Sequence, residues 1–306
     1  MKTLIIGGTR FVGLAITEYA LSLGHEVTVF HRSDSVPPGT ETATHVQGDR
    51  LVDLGKLAQT QWDLVIDVCA YRPNEVSLVA DALGDSTKKF VLVSTVSVYD
   101  DSIAHNSKED APLASTDELL ALDPATVPVM EHYGSLKVLC EQKALERFTD
   151  PLIIRPTFVI GPHDYTNRFT SWVERISQGG EVLAPEPQSA SLQYIDARDL
   201  AKFTVDSAIS NQTGAIHVAA PSGGATFGDV MQTIVDTVGG PGIVLKWISV
   251  AQALASDETF PLWVDGESIG MLAMDTTRAL TAGLKVRPLS ETVADILDEL
   301  NKQPVQ

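Results

Sequence analysis

The sequence predicts an α/β fold whose core is a doubly wound parallel sheet. Short strand-like runs alternate with helix-length segments through the first half of the chain, as in parallel strands joined by right-handed helical crossovers. Leu64–Ile66 and Phe90–Val93 are continuously apolar, as expected for strands buried on both faces. The predicted strands are Thr3–Ile6, Glu26–Phe30, His45–Gln47, Leu64–Val68, Phe90–Val93 and Leu152–Ile154.

The composition argues against several classes of protein. The chain has 306 residues, with 22 Lys and Arg against 40 Asp and Glu, giving a formal net charge of −18. Such a charge repels nucleic acid and anionic lipid, so neither is an expected partner. No apolar run approaches the ~20 residues of a membrane span or forms a signal-peptide core, so we expect a cytoplasmic protein. Cys69 and Cys140 are isolated from each other and from histidine pairs, so neither a disulfide framework nor a metal site is predicted.

The first predicted strand leads into a glycine-containing turn, Gly7-Gly8-Thr9-Arg10-Phe11-Val12-Gly13, and Gly13 opens a helical pattern. The free backbone N–H groups of such a turn and the positive end of the helix dipole favour an anion. Glycines also let the pyrophosphate of a dinucleotide approach the backbone closely. Ordinary strand-to-helix turns contain glycines too, so this motif is specific only together with the features that follow.

The end of the second strand defines the adenosine side of the predicted cofactor site. In dinucleotide folds an acidic residue there binds the ribose hydroxyls and selects NAD. Here His31 takes that place and Arg32 follows it, a cation suited to a 2′-phosphate. We therefore predict NADP in preference to NAD, the alternative being that Arg32 is only solvated. Asp49, after the third strand, either reaches the adenine amino group or caps its own turn.

The ends of the fourth and fifth strands are predicted to face the rest of the cofactor. Ligands bind at the carboxyl ends of parallel strands in open sheets. We expect Cys69, Ala70 and Tyr71 to lie against the ribose and phosphates, and Ser94 to belong to the same site.

An acid/base pair is predicted on the helix Glu131–Arg147. Tyr133 and Lys137 are four residues apart, which places the phenol and the ammonium on one face of the helix. A free tyrosine, with a pKa of ~10, is a poor acid/base at neutral pH, and a neighbouring cation brings it towards the working range. Lys137 is also placed to hold the nicotinamide ribose, and Thr95 to donate to the substrate oxygen. The alternative is an exposed polar pair, which the nucleotide turn and Thr95 disfavour.

Together these motifs resemble those of the extended or atypical short-chain dehydrogenases/reductases of the NAD(P)-dependent epimerase/dehydratase type. The resemblance implies that Thr95, Tyr133 and Lys137 are the catalytic triad. It also implies that Pro156, Phe158 and Val159 lie beside the nicotinamide. Besides the glycine turn and the Tyr133–Lys137 motif, it rests on Arg155–Pro162, Tyr194–Ala201 and Leu280–Leu289.

The sequence departs from the family pattern at two places. Arg10 replaces the middle glycine of the usual turn, a variant similar to the atypical branch, which includes chloroplast stem-loop-binding proteins that act on RNA. Arg10 either turns its guanidinium onto cofactor phosphate or blocks close approach, and we expect the first because the triad needs nicotinamide. Val96-Ser97 stands where sugar-nucleotide 4,6-dehydratases carry an Asp-Glu pair, which disfavours that reaction.

The sequence changes in texture after Arg155-Pro156, where proline and glycine become denser and the elements shorter. We predict a dinucleotide-binding Rossmann domain over residues 1–155. Residues 156–306 are predicted to form mainly a smaller C-terminal substrate-binding lobe, interleaved with the last strands of the sheet. The residues expected to line the substrate cleft, with Thr95, are His163 and Arg168. Residues 301–306 are expected to form a loose tail.

The leading functional hypothesis is an NAD(P)-dependent oxidoreductase or epimerase. It would transfer hydride between nicotinamide and a secondary alcohol or ketone, with a sugar nucleotide as one candidate substrate. Two alternatives stay open: an RNA-binding protein of the atypical branch, and an NADP-binding redox sensor without turnover. The expected partner is a small-molecule substrate, and a homodimer is kept open as the assembly.

Overall fold

The structure is a computed structural model that describes residues 1–122, 125–264 and 270–302. Its strands are β1 (Lys2–Ile6), β2 (Glu26–His31), β3 (Thr44–Gln47), β4 (Leu64–Asp67), β5 (Phe90–Val93), β6 (Leu152–Pro156), β7 (Phe158–Ile160), β8 (Glu181–Pro185), β9 (Tyr194–Asp196), β10 (Gly214–Val218) and β11 (Val244–Ile248).

The helices alternate with these strands, and α4 is flanked by a short 3-10 turn at Val96–Val98. They are α1 (Phe11–Ser22), α2 (Pro73–Leu83), α3 (Asp117–Leu120), α4 (Tyr133–Arg147), α5 (Thr170–Ser177), α6 (Ala197–Ile209), α7 (Phe227–Val238), α8 (Val250–Leu254), α9 (Thr277–Thr281) and α10 (Leu289–Lys302).

The predicted fold class is confirmed by a seven-stranded parallel sheet in the order β10-β6-β5-β4-β1-β2-β3. All six predicted strands belong to it, with ends within two residues of those expected. The chain runs outward from β1 in both directions, so the strand order reverses between β1 and β4. Ligands bind at the carboxyl ends of strands beside such a reversal.

Side chains of the sheet alternate between two buried layers. Ile5 and Ile66 pack with α1 and α6 on one face, whereas Leu4 and Val65 pack with α2 and α4 on the other. All four are fully buried, which explains why the strands read as continuous apolar runs. The sheet is therefore a fixed frame whose carboxyl edge carries the predicted site residues.

The lobe has a separate apolar core formed by α5, α7 and α10, with Trp172 and Phe227 fully buried in it. Beside it lie two parallel strand pairs, β8 with β11 and β7 with β9. β10 instead pairs with β6 in the main sheet, and α6 packs against α1. Residues of the second half thus contribute to both cores.

Two smaller predictions are affected by the structure. Asn301 and Lys302 end α10 instead of forming a loose tail, and residues 303–306 lie outside the described residues. Cys69 and Cys140 are free thiols. Within the described ranges, no helix combines the length and apolarity needed to cross a bilayer, and no cluster of three or more His, Cys, Asp or Glu side chains is arranged to hold a metal ion.

Candidate active site

The glycine turn after β1 is packed so tightly that its glycines cannot carry side chains. A Cβ on Gly13 would lie 2.2 Å from the carbonyl oxygen of Gly7, and one on Gly8 would lie 2.5 Å from Thr17 Oγ1. Gly7 has a φ of +89°, and its N–H donates to the carbonyl of Phe30 at 2.9 Å. The N-terminus of α1 is thereby held against the turn, as a phosphate cradle requires.

α1 begins at Phe11, two residues before the predicted start at Gly13. Arg10 is therefore the N-cap residue, in an extended conformation, and Phe11 follows with a φ of +41°. The Arg10 side chain is exposed, and its guanidinium carbon lies 5.8 Å from the ring centroid of Tyr165 in the loop after β7. Arg10 thus joins the glycine turn to the lobe, and its contact with cofactor phosphate stays a prediction.

The end of β2 lies beside the glycine turn, because Ile6 of β1 is paired with Phe30 of β2. His31 is buried, and its Nε2 lies 3.0 Å from Nδ1 of His45 on β3. Burial and the charge of His45 lower the pKa of His31. Arg32 is exposed and makes no hydrogen bond or ion pair with the described residues, so its guanidinium is available to a ligand.

Asp49 caps its own turn, since its Oδ1 accepts the N–H of Leu51 at 2.9 Å. Its contact with adenine stays a prediction. The neighbouring Arg50 was not predicted: it is buried and donates two hydrogen bonds to Asp67, at 3.1 and 2.7 Å. An acid at the end of a fully buried strand requires a charged partner, which is the signal in the sequence that identifies Asp67.

The segment after β4 lies between the glycine turn and α4. Cys69 Sγ accepts a hydrogen bond from Arg50 at 3.4 Å, and burial raises the pKa of its thiol to about 11. A Cβ on Gly7 would lie 2.8 Å from that sulfur, so Cys69 is part of the packing beneath the turn. Tyr71 is exposed, and its ring centroid lies 6.4 Å from that of Tyr133.

The buried ammonium of Lys137 joins α4 to two strand ends. It donates to the carbonyl of Ala70 at 2.9 Å and to that of Val93 at 2.7 Å. An ammonium has three donors, so one remains without a partner among the described residues. Lys137 therefore holds α4 across the carboxyl ends of β4 and β5 and keeps one donor for a ligand.

Tyr133 is the first residue of α4 and is partly exposed. The next residue, Gly134, packs so closely that a Cβ there would lie 2.2 Å from the carbonyl oxygen of Ser97. Ser97 belongs to the 3-10 turn Val96–Val98, and Thr95 is buried at the start of this turn. The Oγ1 of Thr95 accepts the N–H of Ser97 and donates to the Ser97 hydroxyl, both at 3.1 Å. The contact at Gly134 thus brings the start of α4 against the segment that carries Thr95.

A buried network of hydrogen-bonded side chains lies behind Thr95, Tyr133 and Lys137, and it was not predicted from the sequence. Ser94 donates to Glu141 at 2.5 Å, and Glu141 accepts from Arg155 at 3.0 and 2.6 Å. Arg155 also donates to Tyr99, whose hydroxyl lies 2.6 Å from Nε2 of His217. Glu141 follows Lys137 by four residues, so the helical period that relates Tyr133 to Lys137 extends to it and is the signal that identifies it.

The segment after β6 passes from the sheet into the lobe. Pro156 is buried at the end of β6, while Phe158 and Val159 are partly buried in β7 and pack on different cores. Thr157 lies between Pro156 and Phe158 in the chain, and its Oγ1 is buried without a hydrogen-bond partner among the described residues. This unpaired hydroxyl fits a polar ligand beside residues 156–159.

His163 and Arg168 lie in the loop between β7 and α5. The exposed His163 ring lies 3.0 Å from Glu299 of α10. Arg168 is also exposed: its Nε donates to Thr166 at 3.2 Å, and its guanidinium carbon lies 5.6 Å from the ring centroid of Phe158. Both side chains have contacts within the lobe, and their place in the substrate cleft stays a prediction.

The parallel sheet, with a glycine turn at its strand reversal and the helix of Tyr133 and Lys137 beside it, defines a Rossmann-type α/β fold. The model of the NAD dependent epimerase/dehydratase family matches residues 3–218, so the chain belongs to that family.

One relative and two solved structures give the scale of the similarity. The chloroplast stem-loop binding protein of 41 kDa b from Arabidopsis thaliana is 28% identical over 218 residues, 65% of this chain and 53% of that protein. The UDP-N-acetylglucosamine 4-epimerase of Bacillus cereus superposes with a TM-score of 0.72 at 16% identity, covering 99% of this chain and 100% of that one. The UDP-glucuronic acid 4-epimerase of Bacillus cereus in complex with NAD gives 0.70 at 17% identity, with coverage of 99% and 100%.

Proposed function

We propose that the protein is an NAD(P)-dependent oxidoreductase or epimerase that acts on a secondary alcohol or ketone. The observation that carries this proposal is the buried ammonium of Lys137, bonded to Ala70 and Val93 one helical turn from Tyr133. Burying a cation is costly unless its charge is paired and its N–H groups are hydrogen-bonded. Two carbonyls at strand ends hold it and one donor is left, which favours a role towards a ligand.

Each member of the triad has a distinct role in this proposal. Tyr133 moves a proton to or from the substrate oxygen, and the charge of Lys137 stabilises the phenolate. Thr95 positions the same oxygen through its hydroxyl. When bound, the nicotinamide supplies or takes the hydride at the substrate carbon.

The residues present fit a nicotinamide dinucleotide, with NADP preferred. The glycine turn packs tightly against the start of α1, and Thr157 contributes a buried hydroxyl without a partner among the described residues, next to the segment assigned to nicotinamide. Arg32 is exposed and unpaired within the described ranges, as a 2′-phosphate ligand needs to be.

The proposed substrate class is a sugar nucleotide. The two solved structures compared above are named for UDP-sugar 4-epimerases. The chain superposes on them over nearly its whole length, including a lobe with its own core to cover the cleft. Exposed Arg10 and Arg168 oppose the acidic charge of the chain and would attract a phosphorylated ligand.

Titration with NADPH and NADH, followed by nicotinamide fluorescence, tests the cofactor part. We expect both to bind and NADPH to bind more tightly. Ketones and UDP-sugars are then screened with the wild type and with Tyr133→Phe, which should keep nucleotide affinity and lose at least 100-fold in turnover, in line with general acid–base contributions of about 10²–10⁴. Absence of nucleotide binding, or full turnover in Tyr133→Phe, would refute the corresponding part.

A second candidate function is RNA binding, which the Arabidopsis relative favours by its name. The net charge of −18 opposes it, because affinity for RNA comes largely from Lys and Arg. Filter binding of a stem-loop RNA at 50 and 200 mM salt decides between the candidates. We expect no RNA retention at either salt, and salt-sensitive retention without nucleotide binding would favour the RNA candidate.

A further inference from the structure

A chain of hydrogen bonds at the edge of the sheet ends on a buried nitrogen without a partner. His45 Nε2 lies 3.0 Å from the carbonyl oxygen of Thr40 and 3.3 Å from its hydroxyl. His45 Nδ1 lies 3.0 Å from His31 Nε2. His31 is 7% exposed, and its Nδ1 makes no hydrogen bond within the described residues.

The partners determine which ring nitrogens carry protons. Thr40 Oγ1 donates to the carbonyl of Pro37 at 2.7 Å, so both Thr40 oxygens face His45 as acceptors. His45 Nε2 must therefore be protonated, which leaves Nδ1 of the neutral ring as an acceptor. His31 Nε2 then donates to it, and His31 Nδ1 is left with a lone pair.

A single added proton completes this chain. Burial and the charge of His45 lower the pKa of the His31 ring, while the backbone of Ser33 favours its charged form. A proton on His31 Nδ1 would turn this unpartnered nitrogen into a donor for the backbone of Ser33, while the two existing hydrogen bonds stay in place. The protonated pair is fully bonded, whereas the neutral pair leaves one buried polar atom unsatisfied.

The charge would appear next to the predicted phosphate sites. Ile6 is paired with Phe30, so His31 lies beside Gly7, and exposed Arg32 follows it. The titratable group in contact with the ring is His45 on β3, and Arg32 and Asp34 follow His31 in the next turn of the chain. Asp34 is already bonded to Gln47 of β3 at 2.6 Å.

We propose that the His31–His45 pair makes the choice between a free and a phosphorylated adenosine ribose depend on one proton. This inference rests on the proposed nicotinamide dinucleotide site. Neutral His31 adds no charge for a 2′-phosphate, and discrimination is left to Arg32. Protonated His31 adds a buried cation beside the cradle. By linkage, NADP binding therefore draws a proton onto His31, whereas NAD binding does not.

The first test measures the affinities of NADP⁺ and NAD⁺ by calorimetry at pH 8.0 and pH 5.5. One unit of coupled pKa change corresponds to at most a tenfold change in affinity, so we expect the preference for NADP⁺ at the lower pH to be up to about tenfold higher in the wild type than in a variant that cannot carry the His31 charge. The same titrations in buffers of different ionisation enthalpy should show proton uptake with NADP⁺ only. The 2′-phosphate itself takes up a proton near its secondary pKa of about 6, which weakens NADP⁺ binding at the lower pH. This effect belongs to the ligand and is the same in every variant.

Two variants separate charge on His31 from charge on Arg32. His31→Asn keeps an acceptor near Nδ1 and cannot be charged, so the rise in preference should disappear. Arg32→Gln should weaken NADP⁺ at both pH values and keep the rise. An equal pH dependence in the wild type and His31→Asn would overturn the inference while leaving the cofactor site intact. Failure of both nucleotides to bind would refute the proposed function, and this inference with it.

Nitrogen NMR of the unliganded protein tests the same inference without a variant. At pH 8 the His31 ring should carry its proton on Nε2, with an unprotonated Nδ1. A neutral ring protonated on Nδ1 would contradict the assignment, because the proton site would already be filled.

Discussion

Two groups of charged side chains at the carboxyl edge of the sheet are held in opposite ways. On the α4 side, Lys137, Glu141 and Arg155 are buried, and each makes at least two hydrogen bonds within the protein. On the side of the glycine turn, Arg10 and Arg32 are exposed, and neither is in an ion pair with the described residues. The predicted acid/base group is therefore held in place by the protein itself, while the cations of the predicted nucleotide group remain available to a ligand.

This contrast has a thermodynamic reason. A buried charge that loses its partner is left unpaired in a medium of low dielectric constant, so the network behind the triad should be sensitive to single changes. Exposed cations cost little when unpaired and gain most when an anion arrives. We therefore expect mutations on the α4 side to reduce stability and mutations on the glycine-turn side to reduce affinity.

The largest effect is expected for Arg155→Met, which leaves the buried carboxylate of Glu141 unpaired. The free energy of unfolding should fall by about 3–5 kcal/mol in urea denaturation. Arg147→Met is the matched control, since Arg147 pairs with Asp81 at the surface, and its loss should lower the stability far less. Equal losses in the two variants would remove the difference between buried and exposed charges on which this contrast rests.

Gly134→Ala should come next, because its Cβ would lie 2.2 Å from the carbonyl oxygen of Ser97. Separating α4 from the Thr95 segment should cost about 1–3 kcal/mol, as overpacking does. Gly84→Ala, with open space and a φ of −52°, is the control and should be neutral or stabilising by up to about 1 kcal/mol. A neutral Gly134→Ala would show that the contact does not position Tyr133.

A pH dependence should arise from His217, whose pKa is lowered by burial. Its ordinary pKa is ~6.5, so below that pH the unfolded chain binds the proton first and stability falls as the pH decreases. The contribution is at most about 1.4 kcal/mol per pH unit. Urea denaturation from pH 7 to 5 should show a shallower decline for His217→Gln, and an unchanged slope would contradict this origin.

The smallest effect on stability is expected for Arg10→Ala, which removes the contact with Tyr165. An exposed cation–π contact contributes about 0.5–1 kcal/mol. NADP affinity should fall more, by about tenfold or greater, if the guanidinium binds phosphate through charge-assisted hydrogen bonds worth about 1.5–3 kcal/mol. Tyr165→Leu is the control that breaks the same contact without removing the charge. Higher affinity in Arg10→Ala would instead support the blocking alternative.

The strands could be predicted from sequence because burial on both faces leaves an uninterrupted apolar run. β10 was not identified, since Gly214 and His217 interrupt its short apolar pattern. The helix ends were predicted less closely: α4 begins at Tyr133 instead of Glu131, and α1 begins at Phe11 instead of Gly13.

The part of the site that could be predicted is the part that follows from the ends of the strands and from the spacing of residues along a helix. These bring Tyr133, Lys137 and Thr95 to one edge of the sheet. The pairs Arg50–Asp67, Glu141–Arg155 and His31–His45 could not be derived in this way. They depend on strand order, register and the rotation of α4, which local sequence does not specify.

Hydrogen–deuterium exchange with and without NADP tests most directly whether the glycine-turn group and the α4 group bind one ligand. We expect added protection in residues 7–13 and 31–33 and, at the same nucleotide concentration, in residues 93–99 and 133–137. A 2′-phosphorylated ADP without the nicotinamide half should protect only the first two segments. Protection by NADP that leaves residues 133–137 unchanged would contradict the assignment of Tyr133 and Lys137 to the nicotinamide site.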